Sequence, residues 1–217
     1  MPAASNTRGI LLVTNDLGPR AGGIETFLLG LLNYVDGNDL VIYTSSEEDS
    51  AEDLAFDKSL TEKYGVIVIR DKAKVLLPTP RVTRDVVSAM KKYGCSTIWF
   101  GATAPLAWMS PALRKAGATR IVGITHGHEV WWSKVSPFSL AMRRIGNSVD
   151  VLTYLGNFTR DAMRPAIGDK NQLVHIAPGI SIDHFRPGVK PEDLLQKYDL
   201  VGKKVIVSVG RLVHRKG

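Results

Sequence analysis

The chain has 217 residues, 28 Lys and Arg against 21 Asp and Glu, a net charge of +7, and 44% apolar residues. That length and balance suit one large globular domain, or one domain with part of another, and exclude collagen-like repeats, coiled coils and wholesale disorder. The single cysteine, Cys95, rules out an internal disulfide and a cysteine-based zinc site. No apolar run approaches the roughly 18–20 residues of a membrane-spanning helix. The run from Gly9 to Thr14 is too short for the apolar core of a secretory signal, so a reducing, cytoplasmic setting is the expectation.

Ile10–Thr14 predicts a buried strand, followed by a glycine-rich loop and a helical pattern from Ile24 to about Tyr34. Further strands are expected at 40–43, 66–69, 97–100, 121–124, 149–154, 173–176 and 205–209, where apolar residues occupy both parities as in a parallel sheet covered on both faces. Helical segments fit at about 80–92, 105–116, 136–146, 158–165 and 191–197. This alternation predicts an α/β fold with a doubly wound, Rossmann-like, mostly parallel sheet. Arg186-Pro-Gly-Val-Lys-Pro191 reads as a linker. It divides an N-terminal domain, 1–187, from 188–217, the truncated start of a second Rossmann-like domain.

Charge is unevenly placed along these elements. Residues 1–57 carry 2 basic and 10 acidic groups, a net of −8; residues 58–120 carry 12 and 3, a net of +9. The middle third is where an anionic partner would be drawn: nucleic acid, an anionic membrane surface or a phosphorylated small molecule. A solvated basic face is the alternative. With no zinc finger, no RNP motif and 7% aromatics, nucleic acid falls behind.

In open parallel sheets ligands bind at the carboxyl ends of strands. Three loops there hold candidates. After the first strand, Gly22-Gly23 open a helix, where bare backbone N–H groups can approach an anion; an ordinary tight turn is the competing reading, and Glu25 a favourable first-turn acid. After the strand ending at Ile124 come Thr125-His-Gly-His-Glu-Val-Trp-Trp132. The zinc-protease pattern H-E-x-x-H fails there, and His126-x-His128 has no evident third metal ligand. Polar recognition of a sugar or phosphate is the functional reading of both histidines. In the other reading, Trp131 and Trp132 fill core or interface and one histidine caps a helix. After the last strand, Arg211 and Lys216 leave close together in a glycine-bounded loop suited to phosphate; a basic loop with no ligand is the alternative.

Taken together, Gly22-Gly-Ile-Glu-Thr26, Pro178-Gly-Ile-Ser-Ile-Asp-His-Phe-Arg-Pro187 and Gly210-Arg-Leu-Val-His-Arg-Lys-Gly217 resemble motifs of the GT4 family of GT-B glycosyltransferases, retaining enzymes that use nucleotide sugars. The resemblance spans essentially the whole chain as an N-terminal half. Leu76–Arg84, Thr125–Trp132 and Thr153–Arg160 look closest to the family's mannosyltransferases that convert phosphatidylinositol monomannoside to the dimannoside with GDP-mannose.

The resemblance implies that Arg211 and Lys216 grip the donor diphosphate, that Gly22 and Gly23 approach it, and that His126 lies at the transferred sugar. Asp16 and Arg20 compete for the acceptor-side polar role, with His128 a further acceptor contact. No cofactor and no bound metal are implied, and the fragment alone is expected to be inactive. The acceptor would be an anionic glycolipid reached from the inner face of the plasma membrane as a peripheral protein. Another glycolipid, an inositol-phosphate acceptor, or a non-catalytic anionic-lipid-binding domain are the alternatives. A helix over Pro80–Tyr93, with Val82, Val86 and Met90 on one side, is compatible with lying on such a membrane or with packing on the sheet.

Overall fold

A computed structural model describes residues 8–46, 50–183, 185–188 and 191–210. Seven strands form one all-parallel sheet: β1 (Ile10–Thr14), β2 (Leu40–Thr44), β3 (Ile67–Arg70), β4 (Thr97–Phe100), β5 (Arg120–Gly123), β6 (Val151–Tyr154) and β7 (Gln172–His175). Their order is β3-β2-β1-β4-β5-β6-β7, so the chain winds outward from β1 in both directions. Ile10 is in register with Leu40 on one side and Thr97 on the other. The switch point therefore lies between β1 and β4, where the loops leaving the two strands diverge and open a crevice.

The helices are α1 (Gly23–Leu31), α2 (Ser50–Tyr64), α3 (Pro80–Lys92), α4 (Ser110–Ala116), α5 (Glu129–Lys134), α6 (Phe138–Gly146), α7 (Asn157–Ile167) and α8 (Glu192–Lys197). Central strands are buried on both faces: Leu11, Val13, Val41, Ile98 and Ile121 are fully enclosed, which is why their sequences read as continuous apolar runs. At Gly101, just past β4, an added Cβ would sit 2.6 Å from Thr14 Oγ1 and 2.9 Å from Leu28 Cδ1. Glycine there lets α1 close onto the carboxyl edge of the sheet.

Helix α3 begins at Thr79, whose hydroxyl accepts the Val82 N–H, with Pro80 in the first turn and Lys91 and Lys92 in the last. Its apolar side is spent on the core, with Val82, Val86 and Met90 buried. The sheet-packing alternative holds, and this stripe is not presented to a membrane. No helix among the described residues is long and apolar enough to cross one.

Three elements depart from the sequence expectation. Helix α2 has no apolar stripe: Leu60 and Asp53 are buried while Leu54 is exposed. Arg70 holds it instead, pairing with Asp53 and Asp57, each at 2.8 Å. Helix α5 occupies what reads as a loop. Residues 205–209 form no strand, and Ile206 and Val209 stand exposed; a strand needs a neighbour to satisfy its backbone groups, and none pairs with it among the described residues.

The chain divides into compact units at 1–179 and 180–217, where the linker reading placed the division after 187. The second unit, considered alone, carries α8 and has no buried residue in that helix. In the first unit Cys95 is buried at the foot of β4. Burial, helped by Asp39, pushes its thiol pKa up to about 11.

Candidate active site at the carboxyl end of the sheet

The loop after β1 is held from both sides. Asn15 brackets Leu76: its Oδ1 accepts the Leu76 N–H at 2.6 Å, and its Nδ2 donates to the Leu76 carbonyl at 3.1 Å. Arg70, already locked to α2, donates to the Gly18 carbonyl at 2.8 Å and the Ser45 carbonyl at 3.1 Å. A parallel clamp fixes the 76–84 segment. Arg81 forks onto Asp71, both contacts at 2.9 Å, and Tyr43 donates to the same carboxylate. Burial alone would raise the Asp71 pKa, but the hydrogen bonds from Arg81 and Tyr43 hold it below the ordinary carboxylate value.

These clamps leave Asp16 half-buried, its backbone N–H donating to Thr14 Oγ1 at 2.9 Å. Burial raises its carboxyl pKa, and the Glu25 charge raises it further, against opposing effects of Arg20 and His128. Arg20 and Glu25 pair at 3.3 Å, the arginine largely exposed and the carboxylate nearly buried. Glu25 folds back over the start of its own helix: a Cβ on Gly22 would lie 2.1 Å from Glu25 Oε2. Gly22 is the residue preceding α1, and its lack of a side chain makes room for that acid. Gly23 has nothing within 4 Å of its would-be Cβ, so the helix N-terminus is open on that side. Asp16, Arg20 and Glu25 thus lie together beside the start of α1, Glu25 being paired with Arg20.

The facing wall comes from β4 and β5. His126 Nε2 lies 2.6 Å from the Gly101 carbonyl. A carbonyl can only accept, so Nε2 carries the proton and Nδ1 is the lone-pair nitrogen of the neutral ring. Phe27 of α1 meets the ring edge-on, centroids 5.4 Å apart. Burial pulls the His126 pKa below its ordinary value, outweighing the Gly101 carbonyl and the Glu129 charge that favour the imidazolium.

Glu129 is completely buried. Its Oε2 accepts the His126 backbone N–H at 3.1 Å, and Oε1 lies 3.4 Å from His128 Nε2. His128 Nε2 is equally 3.4 Å from the Ala104 carbonyl. His128 immediately precedes α5 but its side chain does not cap the helix. Glu129 holds the His126 backbone and lies close to the His128 ring; its spacing three after His126 is the only local signal of this in the sequence. Arg70 and Asn15 give no such signal, because their partners are remote in the chain.

Asp16, Arg20, Gly22, Gly23, His126 and His128 are therefore gathered at one end of the sheet. Among the described residues no three His, Cys, Asp or Glu side chains are grouped to hold a metal ion. Arg211 and Lys216 lie outside the described residues. An open cavity of about 520 Å³ lies at the opposite end, lined by Arg114, Asp150 and Lys170 among others. There Arg114 and Asp150 are spent on each other.

A wholly parallel sheet with order 3-2-1-4-5-6-7 and a polar crevice at its switch point defines a Rossmann-like domain, as in one half of a GT-B glycosyltransferase. Solved structures agree on the fold. The crystal structure of Anabaena Alr3699/HepE in complex with UDP superposes with a TM-score of 0.61 at 16% identity, over 89% of this chain and 50% of that one. The model of Glycosyltransferase Family 4 matches residues 21–184, and the chain belongs to that family. A GDP-mannose-dependent alpha-(1-6)-phosphatidylinositol monomannoside mannosyltransferase of Mycolicibacterium smegmatis is 38% identical over 210 residues, 96% of this chain and 54% of that protein. The Corynebacterium glutamicum enzyme described as acting on the monoacylated monomannoside is 36% identical over 217 residues, 98% of this chain and 55% of its own length. The chain spans about half the length of the curated relatives it matches.

Proposed function

We propose that this chain forms the acceptor side of a retaining mannosyltransferase that moves mannose from GDP-mannose to phosphatidylinositol monomannoside, giving the dimannoside. The reading is carried by the 38% identity that runs through 96% of the chain to an enzyme of that description. The site chemistry supports it. Asp16, Arg20 and His128 offer an acceptor and donors to sugar hydroxyls or a phosphate. His126 is neutral at physiological pH, and its Nδ1 accepts from a hydroxyl at the reacting sugar while Nε2 stays committed to Gly101. In this reading Gly22, Gly23, Arg211 and Lys216 bind the donor diphosphate, and the charge of Arg211 and Lys216 stabilises departing GDP. Attack then comes on the same face through an oxocarbenium-like state, with a donor phosphate oxygen taking the acceptor proton and no metal or other cofactor engaged. The protein works peripherally at the cytoplasmic face of the membrane.

The test is transfer from radiolabelled GDP-mannose by the complete protein, offered phosphatidylinositol monomannoside, a glucuronic acid glycolipid and a soluble inositol phosphate. The expected product is the dimannoside alone. Labelling of another acceptor instead would replace the acceptor assignment, and lipid binding without any transfer would favour a non-catalytic domain. Arg211→Ala and Lys216→Ala should each abolish transfer, and full activity of both would overturn the donor assignment. Residues 1–217 alone should show negligible turnover.

A further inference from the structure

Beside the polar crevice lies a cavity of about 200 Å³ lined by Pro78, Pro105, Trp108, Trp132, Ala141 and Ile145. It is below the roughly 300–1,000 Å³ of pockets that enclose a whole small ligand, so it suits part of a larger one. The same two segments build both features. The Ala104 carbonyl faces His128, and Pro105 and Trp108 follow it into the cavity wall. His126, His128 and Glu129 lead directly into α5, which delivers Trp132. Trp131 and Trp132 pack on Phe138 at 5.1 and 4.9 Å between ring centroids, fixing α5 against α6, the helix that supplies Ala141 and Ile145.

Apolar residues adjoining the lining in sequence are uncovered. Leu77, Trp131 and Leu140, each next in sequence to a lining residue, are more than half exposed. Cations accompany them: the Arg144 guanidinium lies 4.6 Å over the Trp108 ring, and Lys134 ends α5. Tryptophan beside exposed aliphatics and basic groups is the composition of a surface that meets the headgroup boundary of an anionic bilayer. The α3 stripe is already buried, so lipid contact must be made elsewhere.

We infer that this cavity takes a segment of an acyl chain of the acceptor lipid while the headgroup engages Asp16, Arg20 and the histidines. The inference rests on the lipid-acceptor reading above and adds the place where the tail leaves the membrane. It makes the acceptor's apolar part a recognised element rather than an anchor alone.

Three of the four tryptophans, 108, 131 and 132, line or adjoin the cavity, so intrinsic fluorescence reports on it. The 217-residue chain is titrated with dihexanoyl-phosphatidylinositol, dihexanoyl-phosphatidylglycerol and chainless glycerophosphoinositol, with calorimetry in parallel. Both chain-bearing probes should blue-shift the emission and bind at least tenfold tighter than glycerophosphoinositol. Ala141→Trp, which fills the cavity, should remove that gain and leave glycerophosphoinositol binding unchanged. Trp108→Ala should weaken chain-dependent binding from the other wall. Equal affinity with and without chains, or a gain that survives both substitutions, overturns the inference. Equal binding of the two chain-bearing probes, together with no transfer to phosphatidylinositol monomannoside by the complete protein, upholds the acyl site and defeats the acceptor reading.

Discussion

Both ends of the sheet carry closed ion pairs, Arg114 with Asp150 at one and the Arg70 and Arg81 clamps at the other, but the carboxyl end adds ionisable groups held against their charged forms. At the amino end two arginines are spent on the fold. Arg8 donates to the Gly37 and Gly65 carbonyls at 2.7 and 2.9 Å, and Arg114 holds Asp150 and the Thr119 carbonyl. At the carboxyl end Asp16 is held in surroundings that resist its ionisation, His126 in surroundings that resist its protonation, and Glu129 is buried with one oxygen at long range from His128. Closed ion pairs serve folding. Ionisable groups held away from their ordinary protonation equilibria serve chemistry, and cost stability to keep.

Substitutions at the two ends should separate along that line. The largest effect is expected from His126→Ala, which should lower transfer by the complete protein about a hundredfold or more with little change in Tm. A Tm collapse with activity per folded molecule intact would erase the contrast. Next, Arg114→Ala should lower stability by about 1 kcal/mol, read by urea melts, and leave transfer unchanged. Arg114 holds the Asp150 carboxyl below its ordinary value against the effect of burial. The stability this carries is present above about pH 4 and is lost as pH falls further, so the variant and parent should converge in acid.

Asp16→Asn should act in reverse. A raised carboxyl pKa in the folded state means ionisation works against folding at neutral pH, so the substitution should raise Tm by ~1–2 °C while weakening acceptor binding. The gain should vanish as pH falls below about 4, where both states are protonated. The smallest effect is expected for Gly22→Ala. Its φ of −163° suits any residue, so only Glu25 must move; Tm should shift by less than ~2 °C and the Arg20–Glu25 pairing should loosen, read as a raised KM for acceptor.

Much of this architecture is legible in the sequence because β1, β2, β4 and β5 are buried on both faces and carry the apolar runs that such strands require. Helix α2 was not legible. Its attachment runs through Arg70 to Asp53 and Asp57, a set of charges that becomes an anchor only once β3 lies beside it. The site was half legible. Gly22, Gly23, His126 and His128 sit directly after strands, where the fold rule directs attention. The roles of Glu25 and Glu129 depend on side chains folding back on their own helix starts, and the apolar cavity depends on α5 and α6 meeting through Phe138. Neither leaves a periodic trace.

Cys95 turns the fold into its own clock. A thiol held near pKa 11 and sealed under α3 is almost entirely unionised and out of reach of alkylating reagents. Labelling by iodoacetamide therefore requires the segment between α3 and β4 to open. With no second cysteine to confuse the signal, the labelling rate in native buffer counts those openings directly. It gives each variant proposed above a measure of local integrity independent of ligand, membrane or activity.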